Sequence, residues 1–325
     1  MKVCVFGAGS VGGHMAGRLV QNGAEVSLVV RGAHLAAIRE NGLRVIAPDS
    51  TIEAKVAASA DPADLGPQDA VIVSVKAPAL PSVAASIRPL LGPNTMVAFV
   101  MNGIPWWYFH AEGGQHDGTK LPRVDPNDAI WTAVGPERAI GGVINSSCTV
   151  IEPGVVSVAN AHGRLALGEP TGQITDRLQA LAAAIHSEFL VCEPVPNIRE
   201  RVWGKLLLNF SAGPLCVLTQ APSRHVLADP ELQAVTRRGA DEIAAIAKAM
   251  GCTVKPDVDT QIARSKTGIM HTPSILQDLQ LGRPMEVDAM FGVPLEIARL
   301  AGVPTPTLDL LTAMVKLRAR TAGLY

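Results

Sequence analysis

The chain begins with an alternation of short apolar runs and amphipathic stretches. Val3, Cys4, Val5 and Phe6 form an apolar run of strand length, and residues 25–30 form another. Residues 13–21 between them read as a helix, so the pattern predicts a βαβ unit. Residues 69–76 (Asp-Ala-Val-Ile-Val-Ser-Val-Lys) and 95–101 read as further buried strands. Residues 140–167 return to alternating β runs, with a hairpin expected at Pro153-Gly154, and 176–187 and 189–192 read as a helix and a strand. Beyond Pro196 the texture turns helical, with helices predicted over 198–212, 229–250, 285–300 and 306–320. Asp229-Pro230 supplies an N-cap with a first-turn proline, and Gly251 stops that helix. A boundary near residue 195 follows, with an α/β domain over 1–195 and a helical domain over 196–325. Residues 105–128 break the pattern as a long irregular loop holding Trp106, Trp107, Tyr108 and Phe109. Those rings fit either a domain or subunit interface or a substrate-facing lid.

The join between the first strand and helix reads Gly7-Ala8-Gly9-Ser10-Val11-Gly12. In that context the first glycine permits a tight turn and the second lets backbone approach a pyrophosphate. The third lets helix and strand pack closely, and the helix N-terminus offers N–H donors and a positive dipole end. The plain alternative is a glycine-rich turn of another α/β protein. The second strand ends Val29-Val30-Arg31-Gly32, with no carboxylate to hold a ribose 2′-hydroxyl; Glu25 lies at the far end of the strand. A guanidinium suits a 2′-phosphate, so Arg31 points to NADP(H), although a solvated loop arginine also fits. Lys76 and Asn102 follow strands and therefore fall at the carboxyl edge of the sheet, where ligands bind.

Composition narrows the picture. A chain of 325 residues, 48% hydrophobic and 18% charged, suits two globular domains. A formal net charge of −1 gives no general attraction to nucleic acid or to anionic membrane. The five cysteines have neither CxxC nor zinc spacing, and an odd, scattered set suggests reduced thiols in a cytosol. His14, His34 and His271 show no metal-like spacing, so no metal is expected. No apolar run reaches the roughly eighteen residues of a membrane span, and a strand beginning at residue 2 leaves no room for a signal peptide. The expected setting is cytoplasmic.

The helix after the boundary carries Trp203-Gly204-Lys205-Leu206-Leu207-Leu208-Asn209. Lys205 and Asn209, four apart, share one face, while Val202, Leu206 and Leu207 imply that much of the helix is buried. A lysine there is either a snorkelling stem or a functional ammonium. Ser274-Ile275-Leu276-Gln277-Asp278 and Glu286 stand far downstream, and spacing alone cannot bring them to Lys205.

Together with Gly7–Gly12, Val75-Lys76-Ala77 and Asn102-Gly103, these segments resemble the ketopantoate reductase family (2-dehydropantoate 2-reductase), from the first strand to the last helix. The resemblance implies an N-terminal Rossmann-type parallel sheet domain and a C-terminal all-helical domain like that of 6-phosphogluconate dehydrogenase, with the active site in the cleft between. It also implies roles. Lys205 matches the general acid and Glu286 the carboxylate beside it, and Asn209 and Ser274 match substrate-binding residues. Gly7, Ala8, Gly9, Ser10, Val11, Gly12, Arg31, Lys76 and Asn102 match the cofactor site. The activity expected on this basis is NADPH-dependent reduction of 2-dehydropantoate to (R)-pantoate, a step toward pantothenate and coenzyme A. The partner is a small 2-oxo acid, with a homodimer left open.

Two departures fall at the substrate end. The family usually places a second asparagine one turn beyond the first, before a proline; this chain has Gly213 before Pro214. The 105–128 loop is also long. A related reductase of another 2-oxo acid is therefore the alternative, and a non-catalytic NADP(H)-binding protein a more distant one.

Overall fold

The computed structural model describes residues 1–267 and 272–325, with backbone alone at 211 and 267; His271 lies outside the described residues. The strands are β1 (Lys2–Phe6), β2 (Glu25–Val29), β3 (Leu43–Ile46), β4 (Thr51–Ala54), β5 (Ala57–Ser59), β6 (Gln68–Val73), β7 (Leu91–Val100), β8 (Ala139–Asn145), β9 (Cys148–Glu152), β10 (Val155–Val158), β11 (Gly163–Gly168) and β12 (Leu190–Pro194). The chain divides into two compact units. One is Met1–Met101 with Pro105–Ile198; the other is Arg199–Tyr325 with the tripeptide Asn102–Ile104.

In the first unit a large sheet has the order β12-β11-β8-β7-β6-β1-β2-β5. β1 is flanked in parallel by β2 and β6, with Val3 opposite both Val26 and Ala70, and its residues Val3–Phe6 are buried. That central position is why the run is apolar throughout instead of alternating. The parallel order extends from β5 to β8. It ends there, because β11 runs antiparallel to β8 and carries β12 with it. The expected parallel sheet thus has a reversed two-strand edge. No helical crossover lies between β8 and β11, so the chain cannot return to a parallel register.

A second sheet, β4-β3-β10-β9, goes beyond the sequence pattern except for its β9–β10 hairpin at Pro153-Gly154. Its strands are too short for a firm alternation. It packs on the helix Ser10–Gln21: a side chain at Gly13 would press within 2.7 Å of Val156, and one at Gly17 within 2.8 Å of Val45. Arg18, 1% exposed, makes two bonds to the Asp49 carboxylate at 2.7 and 2.8 Å. Its Nε also donates to His14 at 3.4 Å. Burial, then the Arg18 charge, pushes His14 down to about 4, so it is neutral and structural.

The 105–128 segment is no open lid at its aromatic end. Trp106, Trp107, Tyr108 and Phe109 are all buried, and Trp106 meets Phe99 and Trp131 edge-on at 5.2 and 5.7 Å. A side chain at Gly141 would collide with Trp107. These rings therefore pack inside the first unit.

The second unit is helical: Ile198–Thr219, Ser223–Val226, Pro230–Ala249, Val258–Thr267, Ser274–Gln280, Val293–Leu300 and Pro306–Thr321. The first of these runs a full two turns past the expected residue 212 and carries Pro214 inside it. Having no N–H, Pro214 leaves the Phe210 carbonyl without its helix donor, a defect that tertiary packing outweighs. Among the described residues this is the one helix long and apolar enough to cross a membrane, with mean hydropathy 1.2, contrary to the expectation that none would be. It is weak evidence, since a core helix meets the same criterion and 65% of its apolar window is buried. The expected 285–300 helix is also revised. It opens as a π-turn, Asp288–Gly292, and becomes α-helical only from Val293.

Candidate active site

In the first unit, β1 delivers Gly7 with φ +94, held by a 2.9 Å bond from its N–H to the Val29 carbonyl. This left-handed backbone is open to glycine, and a side chain would also collide with Val75. At Gly12 a side chain would run into the Gly7 carbonyl and Ser74, whose hydroxyl donates to that same carbonyl at 2.7 Å. At Gly9, by contrast, a Cβ would meet nothing within 4 Å. Gly9 is the N-cap of Ser10–Gln21, which has no side-chain cap and no acid in its first turn. The N-cap position is thus uncrowded among the described residues, and no first-turn carboxylate competes for the helix N–H groups. This fits a dinucleotide pyrophosphate.

Arg31 is exposed at the N-cap of the helix Gly32–Asn41, just after β2, with no carboxylate between. Lys76 lies three residues past the end of β6, not on the strand, and is partly buried.

In the second unit, a different set converges. Lys205 keeps some exposure along its length, but the surroundings of its charged end desolvate it. Burial pushes the ammonium down to about 8, and the Glu286 carboxylate opposes that by pulling it up. Glu286 is 5% exposed and accepts a 3.1 Å bond from the Asn102 side-chain amide. Asn102 therefore belongs with Glu286 as well as following β7. Its backbone is seated on the π-turn: the Ile104 N–H donates to the Ala289 carbonyl at 2.9 Å. Gly103, at φ +86, lies so close to Ala289 that any side chain would collide with it. A π-turn is wider than an α-turn and frees such a carbonyl for an outside donor.

Asn209 follows Lys205 by one turn, and its side-chain Nδ2 is buried with no hydrogen-bond partner among the described residues. A buried amide N–H left unpaired costs about 1–3 kcal/mol, which a ligand acceptor would recover. Ser274 is exposed at the start of Ser274–Gln280. One turn past Asn209, a side chain at Gly213 would find, among the described residues, only Ile275 Cγ2, at an unstrained 3.7 Å.

Family models cover most of the chain. Ketopantoate reductase PanE/ApbA matches residues 3–172, and Ketopantoate reductase PanE/ApbA C terminal matches 197–319. The chain belongs to the ketopantoate reductase family. It is accordingly an oxidoreductase acting on a CH–OH group with a nicotinamide cofactor. A 2-dehydropantoate 2-reductase of Mesorhizobium japonicum is 40% identical over 326 residues, covering 100% of both chains. A solved structure from Ralstonia solanacearum MolK2 described as a ketopantoate reductase superposes with TM-score 0.92 at 38% identity, covering 100% of this chain and 99% of that one. The 2-dehydropantoate 2-reductase of Geobacter metallireducens GS-15 follows at TM-score 0.85 and 28% identity, covering 98% and 99%.

Within this family member, the structure brings Lys205, Glu286 and Asn102 together and leaves Asn209 one helical turn away. It groups the glycine loop with the β2 end that carries Arg31. Sequence reading misses the π-turn that carries Ala289, and no local signal marks it. Among the described residues no group of three or more His, Cys, Asp or Glu could hold a metal.

Proposed function

We propose that the chain reduces 2-dehydropantoate to (R)-pantoate with NADPH, in the route to pantothenate and coenzyme A. The observation that carries this is the set on one helix face: a desolvated Lys205 ammonium backed by buried Glu286, with the unpaired Asn209 amide one turn on. Lys205 donates its proton to the ketone oxygen and steadies the charge developing there. Glu286 keeps that amine protonated, and Asn102 holds the Glu286 carboxylate in place. Asn209 and Ser274 hold the substrate. The nicotinamide, when bound, supplies the hydride. Gly7, Ala8, Gly9, Ser10, Val11 and Gly12 cradle its pyrophosphate, with Lys76 beside it.

The test is oxidation of NADPH on adding 2-dehydropantoate, with the product resolved on a chiral column. Turnover of 2-dehydropantoate above that of other 2-oxo acids, giving the (R) product, is expected. A protein that binds NADPH but turns over no 2-oxo acid would exclude the activity.

Gly213 favours a second reading, a 2-oxo acid other than 2-dehydropantoate. Gly213 itself carries no side-chain donor, and among the described residues the nearest side-chain atom to its Cβ position is an Ile275 methyl. Higher kcat/KM for an acid with an apolar chain in place of the hydroxymethyl group would establish it.

Cofactor choice is assigned to Arg31. Arg31→Ala is expected to weaken NADPH binding by about 10- to 100-fold, the worth of a charge-assisted hydrogen bond, and to leave NADH binding unchanged. Equal losses for both nucleotides would remove Arg31 from that role.

A further inference from the structure

His34 lies in the first turns of Gly32–Asn41, partly buried, and uses both ring nitrogens. Nε2 sits 2.7 Å from the Ala8 carbonyl oxygen. Nδ1 accepts the Gly154 backbone N–H at 2.8 Å. A carbonyl can only accept and Gly154 N–H can only donate, so the contacts together define the ring as neutral, with its proton on Nε2. Ala8 is the second residue of the glycine loop, and Gly154 is the tip of the β9–β10 hairpin. One side chain therefore ties the loop to the second sheet.

The consequence is electrostatic. Between Gly7 and Gly9 the loop must present N–H groups and keep carbonyl oxygens away, since a carbonyl turned inward would repel a phosphate anion. The Ala8 oxygen is the one at risk, because Gly7 adopts φ +94 and Gly9 has open space around it. We propose that His34 is a positioning residue for cofactor binding, anchoring the Ala8 carbonyl outward so that the first-turn N–H groups of Ser10–Gln21 are free for the pyrophosphate. The proposal rests on the cofactor-loop reading above. It adds a residue that touches no phosphate itself, and it assigns the β9–β10 hairpin a part in nucleotide affinity.

Two substitutions separate the two bonds. His34→Gln places an amide N–H near the Nε2 position and can keep the Ala8 contact. His34→Asn reaches only the Nδ1 position, so it can keep the Gly154 contact while releasing Ala8. Dissociation constants for NADPH and NADH would be measured by fluorescence titration, with thermal midpoints alongside. For His34→Asn, affinity is expected to fall roughly three- to tenfold, the worth of one hydrogen bond, equally for both nucleotides and with kcat unchanged. For His34→Gln, wild-type affinity is expected. The equal loss sets His34 apart from Arg31, whose loss is confined to NADPH.

Wild-type affinity in a folded His34→Asn protein would overturn the proposal, as would equal weakening in both variants matched by equal losses of thermal midpoint. Should His34→Asn fail to fold, the ring-nitrogen NMR spectrum of the wild-type protein decides: a proton on Nε2 is required, and one on Nδ1 refutes it. Failure of the wild-type protein to bind either nucleotide would instead bring down the cofactor-loop reading itself.

Discussion

Lys205→Ala is expected to lower kcat for ketone reduction by roughly 10²- to 10⁴-fold, the range a positioned general acid supplies. NADPH affinity should hold, because this change leaves the glycine loop intact. The pH dependence carries the sharper signature. With Lys205 as the proposed acid, reduction should need the protonated amine, and burial sets that amine at about 8 instead of its ordinary 10.5. Activity should therefore be level below pH 8 and fall as pH rises through it. The reverse oxidation needs the free amine, so it should rise through the same range. Stopped-flow or steady-state rates across pH 6–10 would measure both limbs, and Lys205→Ala should lack them. A folded, NADPH-binding Lys205→Ala protein with undiminished turnover would exclude the lysine as proton donor.

Glu286→Gln should act through Lys205. The amide keeps the size of the side chain and can still accept from Asn102, but it removes the charge that pulls the lysine up. An opposing charge at close range shifts a pKa by about 1–3 units, so the alkaline limb should move at least about one unit to lower pH. At pH 8.5 the variant should then reduce substrate roughly tenfold more slowly than the wild type, and the deficit should shrink toward pH 6 as the lysine is reprotonated. A carboxylate that served only packing would depress the rate equally at every pH. An unmoved limb would show that Glu286 does not set the protonation of Lys205.

Much of this architecture is legible in the amino-acid sequence, and the reasons are local. The βαβ start, the Pro153-Gly154 hairpin and the Asp229-capped helix each depend on near neighbours, and they stand where the pattern puts them. The misses share a different cause. The helix past Ala212 continues through Pro214 because burial of Leu215, Cys216 and Val217 outweighs a local breaker. The second sheet escapes the pattern because β3 and β4 have four residues each, too few for a period to register. Trp106 to Phe109 look like an interface by composition, yet their partners are Phe99, Trp131 and Gly141, which no spacing rule connects to them.

Taken alone, the chain determines a glycine-rich turn at the head of a helix, a strand end without a carboxylate, and a lysine and an asparagine on one helical face. Each is a matter of residue type within a few positions, where backbone geometry leaves little choice. Tertiary structure alone decides that Glu286 reaches Lys205 and Asn102, that the Ala289 carbonyl is open to Ile104, and that His34 spans Ala8 and Gly154. Those pairings join residues remote along the chain, and they exist because packing of whole elements, not local preference, sets which side chains share a dry volume.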